Sequence, residues 1–265
     1  MPWNQIANLK GPPGTGSGGP AAWAGITGKP WLLTPYGWQW ATLPGNNATL
    51  TSIGGLPMNT AAGTTFHPAP TNASLRQSLL RWSGTSAATA GAAYDSTGQG
   101  QPRITLSDAG GLGGFTQIMR FSGPSTVATQ RLMMGLTYYG GAWNNNIDPY
   151  TRVNIIVLGY DASVDSTYHL IHCTNYGATS KVDTGIAINN TNAVFDFVLS
   201  NAPGSGDVAW SLTDINSGAS ASGTLTSNLP SAGTYLLPRI HINNGGTAAA
   251  VSVECFGVWT SNYRG

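Results

Sequence analysis

From about residue 115 the chain alternates apolar and polar positions with a period of two, the signature of strands with one face in a core. The runs are 115–121, 131–137, 153–160, 168–173, 194–200, 208–214, 219–226, 235–243 and 248–260. Turn formers separate them: Pro203-Gly204-Ser205-Gly206, Asn216-Ser217-Gly218 and Asn243-Asn244-Gly245-Gly246. Short strands at this spacing, without helical crossovers, predict an all-β antiparallel sandwich or jelly roll. In the last run Val251, Val253, Cys255, Gly257 and Trp259 alternate with Ser252, Glu254, Phe256 and Val258. The second set is barely polar, so this strand is expected to be covered on both sides, with a second subunit as one candidate cover.

Ahead of the strands the pattern changes. Residues 73–82 place Leu75, Leu79 and Trp82 on one side of a short helix that Thr71 or Asn72 would cap. Residues 30–66 are aromatic and punctuated by proline, and Trp38 and Trp40 share a face if that stretch is extended. Residues 1–28 form a Gly/Pro-rich arm preceding a 29–265 domain. Gly11-Pro12-Pro13-Gly14-Thr15-Gly16 gives two collagen-like triplets before Ser17 breaks the register. The arm reads equally as a flexible linker. Gly14, Gly16 and Gly19 match a dinucleotide-binding spacing, but no strand precedes them and the next carboxylate is Asp95.

Composition narrows the function. Charged residues make up 8% of the 265, against roughly 25% in an average soluble protein, and the net charge is +1. A nucleic-acid partner recognised through a basic face is excluded, since phosphate contacts need clustered Lys and Arg. Glu254 is the single glutamate, and Lys10, Lys29 and Lys181 are the only lysines, which disfavours a helical fold. Cys173 and Cys255 lie in apolar runs and read as buried free thiols. The first residues lack a basic stretch followed by an apolar core, so no signal peptide is expected, and no run is long enough to insert in a membrane.

Catalytic chemistry is sparse. Asp95, Asp108, Asp148 and Asp207 sit among turn formers, where an aspartate bonds its own backbone. Asp161 and Asp165 bracket an acidic loop, but a cation there needs oxygen ligands that the sequence does not identify. His169 and His172 point to opposite faces of a strand, leaving only His169 with Cys173, too few ligands for zinc. The chain reads as a non-enzyme without cofactor or metal. Aromatics beside amides are the stronger signal: Tyr138, Tyr139, Trp143, Asn144 and Asn145, with Trp38 and Trp40, suit stacking on sugar rings and bonding to hydroxyls. The competing reading is a loop packed on a neighbouring subunit.

Several stretches together resemble a domain of tail-fibre and minor structural proteins of tailed bacteriophages. They are residues 86–91, 110–115, 158–163, 172–175 with 178–185, 216–225 and 248–251, spanning about 75–260. The resemblance implies a lectin-like, concanavalin-like β-sandwich, assembled as a homotrimer on a virion and facing a host-surface glycan or protein. It also implies that the arm docks on tail or capsid proteins, with Trp3, Ile6 and Leu9 as anchors. The alternatives are a purely structural spike and a polysaccharide depolymerase acting through Asp161 and Asp165.

Overall fold

A computed structural model describes residues 52–53, 56–57, 60–62, 64–66, 82–96, 103–124, 127–138, 143, 146–175, 177–190 and 193–262. The chain divides into two compact units, Met1–Pro35 and Tyr36–Gly265. All described residues belong to the second. The arm, its anchors Trp3, Ile6 and Leu9, and Trp38 and Trp40 lie outside them, as does the helix expected over 73–82 except for Trp82, which begins a strand.

The short leading strands are β1 (Ser52–Ile53), β2 (Leu56–Pro57), β3 (Thr60–Ala62), β4 (Thr64–Phe66), β5 (Trp82–Thr85) and β6 (Ala93–Ser96). The longer ones follow: β7 (Phe115–Ser122), β8 (Arg131–Tyr138), β9 (Ile155–Asp161), β10 (Thr167–Cys173) and β11 (Ser180–Ala187). The last five are β12 (Val194–Asn201), β13 (Val208–Asp214), β14 (Ser220–Leu225), β15 (Leu236–Asn243) and β16 (Ser252–Asn262). Sheet I runs β11-β10-β9-β8-β15-β6-β3 and sheet II runs β14-β13-β12-β7-β16-β5-β4, every pairing antiparallel. β1 and β2 form a separate pair.

The period-two pattern explains the layering. Leu132, Met134 and Leu136 of β8, Ile156, Leu158 and Tyr160 of β9, and Ile240 and Ile242 of β15 point inward from sheet I. They meet Phe115, Met119 and Phe121 of β7 and Phe195, Phe197 and Leu199 of β12 in one core. Phe121, Tyr160, Tyr168 and Phe195 pack there with ring centroids 5.3–6.0 Å apart.

Two departures from the sequence expectation bear on how the longer strands are covered. β16 carries a bulge: Cys255 pairs with Phe121, and the next pair is Gly257 with Arg120. The extra residue exchanges the two faces. Val251, Val253 and Cys255 enter the core before the bulge and Val258 after it, so one strand keeps apolar residues in the core on both sides of the register change. Gly257 and Trp259 now face outward, and the Trp259 ring crosses the space that a side chain at 257 would need. The second departure is β11, absent from the sequence reading. Its residues Ser-Lys-Val-Asp-Thr-Gly-Ile-Ala form a mostly exposed edge strand without an apolar run.

Register places the connections at two ends of the sandwich. One end carries those leaving Tyr138, Cys173, Asn201 and Leu225, along with Ile104, which bridges Leu236. The other carries the connections leaving Ser122, Asp161, Asp214 and Asn243. There Asn244 donates to the carbonyls of Thr89 and Ala249, and Gly245, with φ +57°, sits against the Thr129 backbone where no side chain fits.

Candidate functional site

Outward positions of sheet I differ from those of an ordinary solvated face. Met133, Ile155, Val157, Ile171 and Cys173 form a second apolar cluster, closed by Trp143 and flanked by Ile147 and Tyr150. Trp143 and residues 146–154 therefore lie across the outside of the sheet. Asn146 accepts from Arg131 at 2.7 Å, the Ile147 carbonyl accepts from Asn243 at 3.0 Å, and Asp148 caps a turn over Pro149–Thr151. Asn154 then accepts the Tyr138 N–H and the chain enters β9.

Beneath Trp143 lies a charged cluster. Asp95 of β6 faces His241 of β15 directly across the ladder, and Arg239 stands two residues away on the same face. Asp95 Oδ1 lies 3.3 Å from Arg239 Nε and 3.4 Å from His241 Nδ1, while Oδ2 accepts the Trp143 N–H at 2.9 Å. Asn243 Nδ2 lies 3.1 Å from His241 Nε2. The Arg239 guanidinium sits 4.0 Å from the Trp143 ring centroid, Arg152 reaches within 5.7 Å of it, and His241 meets the ring edge-on. Asp95, Arg239 and His241 are buried. Burial holds the His241 pKa below its ordinary value against the pull of Asp95.

A second cluster ties the crossing segment to β9, β10 and β11. Asp161 accepts from Arg131 Nε at 2.6 Å and from the Ser163 backbone and hydroxyl. Asp165 accepts the Asp161 N–H at 2.8 Å, the Tyr150 hydroxyl, and Lys181 Nζ at 3.0 Å. His169 Nδ1 stands 3.8 Å from Asp165. Burial alone raises the Asp165 pKa, but these donors outweigh it and leave the carboxyl below its ordinary range. Burial and Asp165 together push the Tyr150 hydroxyl far up.

These contacts sort the residues nominated from sequence. Trp143 is 7% exposed and belongs to the outer cluster, not to the open stacking surface that its amide neighbours suggested. Both charge and aromatic contacts occupy it, so it offers no open stacking face. Tyr138, 48% exposed at the end of β8, does. Tyr235, 54% exposed just before β15, joins it at the same end of the sandwich, with Arg103 5.6 Å from its ring. Tyr139, Asn144 and Asn145 lie outside the described residues.

Asp161 and Asp165 meet donors rather than a cleft, and among the described residues no group of His, Cys, Asp and Glu is arranged to hold a metal ion. His169 and His172 do take opposite faces: His172 Nδ1 lies 3.2 Å from the Asn228 carbonyl, and Cys173 Sγ donates to Gly177. Asp95 is a correction, since it is a buried strand residue and not a turn former. Its cluster had a readable trace in Arg239-Ile240-His241-Ile242-Asn243, where polar groups alternate with isoleucine inside an apolar run.

No protein-family model matches the sequence, and no curated protein matches it. Solved structures do share the architecture. A protein of unknown function from Shewanella oneidensis MR-1 superposes with a TM-score of 0.51 at 13% identity, over 84% of this chain and 90% of that one. Arcelin-5, a lectin-like defense protein from Phaseolus vulgaris, gives 0.50 at 8% identity, over 86% and 97%. The fold is a lectin-like β-sandwich of the concanavalin type. At these identities the likeness is one of architecture, and function rests on the site.

Proposed function

We propose that this chain is a virion surface protein of a tailed bacteriophage, whose sandwich binds host-surface glycans at the end bearing Tyr138 and Tyr235. The virion setting, the homotrimer and the docking of the arm through Trp3, Ile6 and Leu9 rest on the sequence resemblance. The observation that carries the glycan reading is Tyr138: a large aromatic left half-exposed at the rim of a lectin-like sandwich, beside a Gly- and Asn-rich connection. Flat aromatic faces stack on the apolar faces of sugar rings. The reading is of a binding protein, because Asp161 and Asp165, the pair a depolymerase would require, are each held by cationic and hydroxyl donors.

The test is glycan-array binding of the full chain, followed by adsorption of particles carrying Tyr138→Ala and Tyr235→Ala. Loss of tenfold or more in both readouts, with unchanged thermal stability, supports the reading. A second reading, a purely structural spike, is favoured by the covered outer face of sheet I, which leaves no open groove there. It predicts unchanged adsorption and fragile particles.

A further inference from the structure

β14 ends sheet II, and an edge strand presents a row of backbone donors and acceptors that natural sheets blunt with lysine, proline or a bulge. β11 ends sheet I beside it and is blunted in this way. It exposes Lys181 and Asp183, and its pairing shifts register between Thr167 and His169. β14 has none of these guards. Its residues Ser220-Ala221-Ser222-Gly223-Thr224-Leu225 carry no charge and no proline, and pair with β13 in unbroken register from Leu225↔Val208 to Ser220↔Thr213.

The phase of the ladder identifies the groups at the edge. The Asp214 N–H donates to the Ala219 carbonyl at 2.8 Å, just beyond the first pair of β14. Antiparallel bonds recur at every second pair, so Ala221, Gly223 and Leu225 turn their backbone groups to β13. Ser220, Ser222 and Thr224 turn theirs away from the sheet. The side chains agree: Leu225 is in the core with Ala221 packed against it, whereas Ser220, Ser222 and Thr224 are exposed.

We propose that this edge is a self-association surface, on which a second copy of the chain adds its own β14 antiparallel about a two-fold axis through Ser222. In that register Ser220 of one copy faces Thr224 of the other and the two Ser222 residues face each other. Every outward backbone group of the three positions then finds a partner, and the two sheets II become continuous. A two-fold axis sets each residue against a residue of the same strand, so a charge at Ser222 would meet its own like. A neutral strand of small hydroxyl side chains avoids that penalty. The contact does not depend on the glycan reading, and in an assembly joined through the arm it links one oligomer to the next.

Two variants of the full chain test it. Facing Cα atoms of a hydrogen-bonded pair lie about 5.5 Å apart, within disulfide reach. Ser222→Cys is expected to give an interchain disulfide on mild oxidation, whereas Asp183→Cys on the blunted edge is not; Cys173 and Cys255 are buried. Ser222→Lys is expected to weaken self-association at least tenfold in sedimentation velocity, with unchanged circular dichroism. Wild-type-like self-association of Ser222→Lys would overturn the proposal. So would cross-linking of Ser222→Cys no faster than of Asp183→Cys, or a wild-type mass independent of concentration.

Discussion

Asp95→Asn separates a buried charge network from an exposed one. The substitution keeps size and removes one negative charge. Asp95 serves the Trp143 N–H with one oxygen and approaches Arg239 and His241 with the other. An asparagine has one oxygen. Turned toward Trp143, it sets its NH2 against the Arg239 guanidinium; turned toward Arg239, it leaves the Trp143 N–H unmet. Either way Arg239 loses its counter-charge, and in the second orientation the Trp143 N–H also loses its acceptor. Side-chain exposures of 3% and 0% for Arg239 and Asp95 leave water little access. Breaking a buried ion pair from one side costs about 3–5 kcal/mol, and the retained oxygen places this variant near the lower bound. The internal control is Arg120–Asp196 on the outside of sheet II, bonded twice at 2.6 Å but with side chains 33% and 24% exposed. Asp196→Asn should cost no more than about 1 kcal/mol, because solvent screens the pair. Urea unfolding with a constant m-value measures both. Equal losses at the two sites would refute the reasoning, since burial would then not set the energy scale.

Further outcomes follow from the same geometry. Trp143→Ala removes the lid of the outer apolar cluster and should destabilise by about 3–5 kcal/mol in the same titration, where an exposed sugar platform would cost little. His241 and His172 both have pKa values lowered by burial, so the folded state binds fewer protons than the unfolded one. Their contribution is complete above the ordinary 6.5 and declines as pH falls below it; melting curves should show that slope, and His241→Gln should flatten it. Burial raises the Cys255 thiol to about 12, so native protein at pH 8 should resist thiol reagents at this position until it is unfolded. Gly257→Ala drives a methyl into the Trp259 ring and should lower the melting temperature by the equivalent of about 1–3 kcal/mol.

Much of the sandwich is legible in the sequence. Leu132, Met134 and Leu136, or Phe195, Phe197 and Leu199, alternate because a pleated strand sends successive side chains to opposite faces, and that rule is local. Turn formers such as Asn244-Gly245 declare themselves for the same reason. Tyr138 was legible as a candidate because it ends an apolar run beside glycines and asparagines. β11 was not, because an exposed edge strand needs no apolar face, and neither was the bulge at Phe256, because both registers of β16 present apolar residues.

The amino-acid sequence by itself determined an all-β chain, its strand runs, its turns and its poverty of charge, since each depends on residues a few positions apart. Only the tertiary structure decided what covers what. Asp95, Trp143, Arg239 and His241 lie far apart along the chain and meet only because β6 pairs with β15 while Trp143 and residues 146–154 lie across the outside of the sheet. A residue's polarity says whether it needs a partner; the topology alone says which partner it finds, and so whether Trp143 is a surface or a core.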